Sequence, residues 1–166
     1  MTLPVRVVPV DAETRAAVLA LSVQPDQLPF VGRTGDSLAD VAVCPGSEAL
    51  ALLLDDVVIG YVRIDRRATA LGEAALTEGA VALRSLMIDA TRQGEGLGRR
   101  ALDAIHAWVA GRHPDRERIL LTVNVRNEVA VRMYLRAGYR DDGELYHGGL
   151  AGPQHVLWRP LHPWNP

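Results

Sequence analysis

The sequence predicts a mixed α/β fold: a central sheet of about seven strands with flanking helices. Two observations lead there. Strand-length apolar runs alternate along the chain with segments of helical apolar spacing, and Gly, Pro and Asp punctuate them. The apolar run at 80–89 is followed by an amphipathic stretch and a second apolar run at 118–125, so this unit predicts a parallel, right-handed β-α-β crossover.

The elements follow in order. "VRVVPV" (5–10) predicts a first strand, with Pro9 at an end or edge. Asp11 is placed to cap a helix running to about Leu21. Residues 22–48 read as loop broken by one short helix at 37–43. "ALALLL", Asp55-Asp56 and "VVIGYVRID" predict a hairpin, and 66–79 a loop. "AVALRSLMID" (80–89) is nearly all apolar, as in a strand buried on both faces. Leu97, Ala101, Ile105, Trp108 and Val109 mark one helix face, with Gly111 and Pro114 as stop signals. Asn127 caps a second helix with Ala130, Tyr134 and Leu135 on its inner face; Gly138 ends it. "YRDDGELY" (139–146) and "HVLWRPL" (155–161) predict two closing strands.

Length and composition restrict function. A chain of 166 residues suits one domain spanning 1–166. The net charge of −2 argues against nucleic-acid binding by bulk electrostatics. No apolar run reaches membrane-spanning length, and the N-terminus lacks a leader pattern, so a cytoplasmic location is expected. Cys44 is the only cysteine, and the five histidines show no ligand spacing, so no metal is expected. All 18 basic residues are arginine, which removes the lysine of a phosphate-binding P-loop.

The chemistry concentrates in "RQGEGLGRR" (92–100). Glycines before a helix let successive amides converge, and the helix adds the positive end of its dipole. Arg92, Arg99 and Arg100 add charge-assisted donors. A plain glycine turn with a solvated basic face is the bland alternative. The strand before and the helix after favour a phosphate ligand. Gly96 to Ala101 formally fits the dinucleotide fingerprint, but the acidic residue expected about 20 positions on is missing.

With these residues in place, the sequence resembles the GNAT superfamily of N-acetyltransferases. Gln93-Gly94-Glu95-Gly96-Leu97-Gly98 matches that family's Q/R-x-x-G-x-G/A loop, after a strand ending in Ile88-Asp89. Asn127, Ala130, Tyr134, Gly138 and Tyr139 match its N-x-x-A-x-x-x-Y-x-x-x-G-F/Y pattern. The resemblance implies a mostly antiparallel sheet whose fourth and fifth strands are parallel and splayed. It implies acetyl-coenzyme A, with the amides from Gln93 through Arg99 on its pyrophosphate, Arg92 nearby, and the backbone of Leu86, Met87 and Ile88 pairing with the pantetheine arm. Asn127 and Ala130 would order that arm from the second helix.

Tyr134 is the residue expected to protonate the leaving sulfur, since a phenol near pKa 10 can pass a proton to a thiolate of pKa about 8.5. A core aromatic is the competing role. "AVALRSLMI" (80–88) offers no carboxylate base; Glu78, Glu73, Asp36 and a water relay are the alternatives. Residues 30–40 resemble the corresponding part of bacterial spermine/spermidine-type acetyltransferases, so Phe30 and Asp36 are candidates for the acceptor site. Arg84, if it faces the cleft, would suit an acceptor bearing a carboxylate. The leading reading is an acetyl-CoA-dependent N-acetyltransferase acting on a small-molecule amine, a polyamine or amino acid, with a homodimer as the family-based expectation. The competing readings are a protein N-terminal acetyltransferase, a non-catalytic acyl-CoA-binding module and a dinucleotide-dependent oxidoreductase.

Overall fold

The computed structural model describes residues 2–68, 71 and 74–163. Seven strands form one sheet: β1 (Val5–Pro9), β2 (Ser47–Leu54), β3 (Val57–Asp65), β4 (Ala80–Ile88), β5 (Arg118–Asn124), β6 (Arg140–Tyr146) and β7 (Gln154–Pro160). Their spatial order is β1-β2-β3-β4-β5-β7-β6. Every neighbouring pair is antiparallel except β4 and β5, which run parallel. The helices are α1 (Arg15–Leu19), α2 (Leu28–Val31), α3 (Thr34–Val43), α4 (Ala74–Thr77), α5 (Leu97–Arg112) and α6 (Glu128–Arg136).

The β2–β3 hairpin turns at Asp55 and Asp56, whose φ angles are +49° and +63°. Two consecutive positive φ values give a turn whose twist matches that of the strands. Apolar side chains on the two sheet faces then meet different helices. On one face Leu50, Leu52, Ile64 and Val81 pack with Leu102, Ile105 and Val109 of α5. On the other, Ala51, Leu53 and Tyr61 pack with Val18 of α1 and Leu38 of α3. Burying each large aliphatic side chain contributes about 1.5–3 kcal/mol.

Four expectations change. Residues 22–48 hold a 3₁₀ turn at Pro25–Gln27, then α2 and α3, because Pro25 and Pro29 each suit the first turn of a short helix. The first helix is only Arg15–Leu19: Asp11 instead accepts from the amides of Glu13 and Thr14 in the preceding turn. Residues 66–79 contain α4. Leu135 is exposed, because Tyr134 and Ala137 occupy the inner face of α6.

The feature that shapes the site lies between β4 and β5. They pair only over Ala80–Ala82 and Arg118–Leu120. Beyond Leu83 and Leu121 they part, while β5 stays bonded to β7 as far as Asn124. β4 carries one extra residue between Arg84 and Met87 relative to β3, and Ser85 there has φ +55°. Such a bulge bends a strand away from its neighbour. The strand predicted to be buried on both faces is therefore buried at its start and half-buried over Arg84–Leu86, where the gap opens.

Candidate active site

The parted strands border a cleft of about 1060 Å³. Its floor is Leu83–Ile88 of β4 and Leu121–Asn124 of β5. The Asp89 amide donates to Ile59 O on β3. Backbone groups alternate along a strand, so the Ile88 amide and carbonyl point the other way, toward the open side. The Ile88 carbonyl is met there by Gln93 Nε2 at 2.9 Å.

One end of the cleft is the glycine loop. Gly94 and Gly96 have φ of +83° and +72°, and a Cβ at either would meet nothing within 4 Å. Their requirement is thus backbone conformation rather than protein packing. Gly98 differs: a Cβ there would stand 2.9 Å from Met133 Sδ, so this glycine lets α5 approach α6. Gly96 caps α5 with no side chain accepting from the first turn. The amides around Gly94–Gly98 thus stand at the positive end of a 16-residue helix whose cap residue offers no side-chain acceptor. Gln93 also donates to Gln27 Oε1 at 2.9 Å, tying the loop to the segment before α2. Asp89 accepts from the Ser22 amide at 2.9 Å and adds a second tie.

Most residues singled out in the sequence line this cleft: Phe30, Arg84, Leu86, Met87, Ile88, Arg92, Gln93, Gly94, Gly96, Leu97, Gly98, Arg99, Asn127, Ala130 and Tyr134. Glu95 is not among them; it pairs with Arg92 at 3.0 Å. Arg100 turns away and donates to the Leu3 carbonyl. Asp36 is exposed in the first turn of α3, outside the cleft lining. Glu78 is also exposed, and its carbonyl accepts from Arg118 at 2.7 Å. Glu73 lies outside the described residues.

Asn127 caps α6, accepting from the Ala130 amide at 3.4 Å. Tyr134, two turns on, is 7% exposed. Burial raises its pKa well above the ordinary tyrosine value, so the phenol holds its proton at neutral pH. Its ring meets Tyr139 edge-on at 5.4 Å. Tyr139 is fixed in turn by a buried network. Arg159 donates to His106 Nδ1 at 2.8 Å and to the Ala137 carbonyl at the end of α6 at 2.8 Å. With Nδ1 accepting, His106 carries its proton on Nε2 and donates to the Tyr139 hydroxyl at 2.7 Å. Burial and the neighbouring Arg159 lower the His106 pKa to about 4.

Four participants were not anticipated. Asp65 lies beside the β4 wall and receives Arg84 NH1 at 3.0 Å, Arg63 Nε at 2.8 Å and Ser47 Oγ at 2.5 Å. Burial favours its acid form, but those three donors outweigh burial and hold its pKa below the ordinary carboxylate value. Only register brings Asp65 and Arg84 together, so no local signal marked them as a pair. Arg126 donates to the Ala151 carbonyl at 2.7 Å and lies 5.8 Å from the Phe30 ring centre. It directly precedes Asn127, the one signal that could have found it. Tyr146 and Gln27 also line the cleft, both from segments without motifs. Among the described residues no cluster of His, Cys, Asp or Glu could hold a metal ion, and no helix is long and apolar enough to cross a membrane.

Unsatisfied amides at a helix start, two nearby arginines and a free strand edge fit a diphosphate joined to an amide-bearing arm. Similarity to known proteins points the same way. A family model described as "Acetyltransferase (GNAT) family" matches residues 12–139. The chain is 30% identical over 108 residues to an uncharacterized N-acetyltransferase of Bacillus subtilis, YbbJ, covering 65% of this chain and 67% of that one. It is 29% identical over 137 residues to the spermine/spermidine N(1)-acetyltransferase of Bacillus subtilis, covering 82% and 88%. Its fold matches the crystal structure of the aminoglycoside acetyltransferase AAC(6')-Ib in complex with coenzyme A, with a TM-score of 0.74, 18% identity and 94% of each chain covered.

Proposed function

This chain belongs to the GNAT acetyltransferase family, and from that premise we propose that it acetylates the primary amine of a small molecule, with Tyr134 as general acid. The observation that carries this reading is the parted β4–β5 pair, with the bare helix start at one end and Tyr134 in its wall. Acetyl-CoA, when bound, supplies an acyl thioester whose thiol has a pKa of about 8.5.

The chain's own residues divide the work. The amides of Gly94, Gly96, Leu97 and Gly98, with Arg92 and Arg99, hold the diphosphate. The free edge of β4 at Leu86–Ile88 receives the arm as an added strand. The outward Ile88 amide is placed to face a carbonyl oxygen that gains negative charge during transfer. Tyr134 keeps its proton at neutral pH. Transfer from a phenol above pKa 10 to a thiolate near 8.5 is uphill between the free groups, so Tyr134 would donate only as the carbon–sulfur bond breaks and the sulfur gains its negative charge. Asp65 does not act as base: Arg63 and Arg84 hold it as an ion-paired carboxylate. The amine sheds its proton to solvent.

Tyr134→Phe tests the assignment. The expected result is a fall in kcat of about 10²-fold or more, with acetyl-CoA affinity unchanged by calorimetry. An unchanged kcat removes Tyr134 from the chemistry.

A further inference from the structure

Resting on the amine-acetylating reading above, we infer that the acceptor is an amine whose own molecule carries a carboxylate, held by Arg84, with Arg126 as a second cation lining the same cleft, and that it is not a polycation. The charge of the cleft lining carries the inference. Five arginines line the cleft among the described residues: Arg92 and Arg99 at the glycine loop, where the diphosphate would lie, and Arg84, Arg126 and Arg132 beyond it. Only two carboxylates do, Asp26 and Glu128. Asp26 adjoins Gln27, which is bonded to the glycine loop, and Glu128 begins α6 beside Asn127. Neither sits on the β4 wall.

Arg84 does. It stands on β4 immediately before the bulge, its side chain 41% exposed. Asp65 takes one of its N–H groups and is itself only 13% exposed, outside the cleft lining. The carboxylate therefore anchors the guanidinium from behind and leaves its other donors facing the cleft. Arg63 and Ser47 already occupy Asp65, and Asp40, 3.6 Å from Arg63, is largely exposed on α3. Arg126 has no carboxylate partner among the described residues; it rests on Phe30 and the Ala151 carbonyl. Both guanidinium groups are thus held in place with donors to spare. A planar fork fixed in this way matches a carboxylate and repels a second ammonium group. Phe30, Leu83 and Tyr146 supply apolar wall beside them.

The experiment measures thiol release from acetyl-CoA with amino acids whose amine lies one to three carbons from the carboxylate. Each is run against the same amine without its carboxylate, and spermidine is run alongside. We expect kcat/KM for at least one amino acid to exceed that of its carboxylate-free partner and of spermidine by about tenfold or more. Arg84→Gln should erase that preference while acetyl-CoA affinity holds; Arg126→Gln is the second variant should the first not fold. Higher kcat/KM for spermidine or the plain amines overturns the inference and leaves the acetyltransferase reading standing. Preference retained in both variants overturns the assignment to these arginines. Acetyl-CoA binding without thiol release to any amine overturns the reading on which the inference rests.

Discussion

β4 and β5 are two strands with two different ends. Over Ala80–Ala82 and Arg118–Leu120 they are bonded, and every β4 residue there is buried. A few residues on, the same strands stand apart and their backbone faces a cleft. The open half carries Arg84, Ser85, Thr122 and Asn124 where the closed half is apolar but for Arg118, and its two strands are not bonded to each other. An unpaired strand edge inside a fold is costly, and a bulge at Ser85 holds this one open. The closed end supports the sheet, and the open end forgoes that support to leave room for a ligand.

Three measurements can break or sharpen this contrast. The largest effect should come from Gly96→Val at the open end. No protein atom lies within 4 Å of a Cβ placed there, yet φ of +72° would strain a valine by about 1–3 kcal/mol, and its bulk would enter the amide cradle. Acetyl-CoA affinity should fall by about a hundredfold or more in calorimetry; unchanged affinity would refute the role of the loop. Ile119→Ala acts at the closed end, where the side chain is fully buried opposite Val81. It should cost about 3 kcal/mol in denaturant unfolding, with acetyl-CoA affinity of the folded protein unchanged. A loss of affinity would show that the two ends are not separable.

The effect that is smallest near neutral pH concerns the clamp behind Tyr134. His106 has a folded pKa of about 4 against 6.5 unfolded. Between those values the unfolded chain binds more protons, so stability is full above pH 6.5 and declines as pH falls toward 4. The decline from this group alone is about 3 kcal/mol over the whole interval. Thermal unfolding against pH should show a shallower slope in His106→Leu than in the parent chain; equal slopes would refute the buried, neutral imidazole.

The sequence foretold the half of the molecule built from local patterns. The glycine loop, the Asn127 cap and the periodic helices are each written in a few adjacent residues, and the parallel β4–β5 pair followed from the β-α-β unit. Gly94 and Gly96 announced positive φ, although the packing role of Gly98 required its neighbour Met133 to be known. The acceptor wall was less readable. In 22–48 the helix at 37–43 was foreseen and is the greater part of α3, whereas Pro25–Gln27 and α2 are too short to show periodicity. Asp36 stood out as a charge near a suggestive segment, yet α3 presents it to solvent. Asp65, Arg84 and Arg63 form one cluster only through a bulged register, which no spacing rule in a single strand encodes.

The pair of side-chain amides at Gln27 and Gln93 has a consequence for timing. One belongs to the segment before α2, the other to the glycine loop, and both line the cleft. When a diphosphate settles on the loop and stills it, the tether stills the segment before α2 as well. Part of the entropy that the second substrate would lose has then already been lost to the first. On the function proposed above, an acyl donor seated on the loop would favour the amine that follows it.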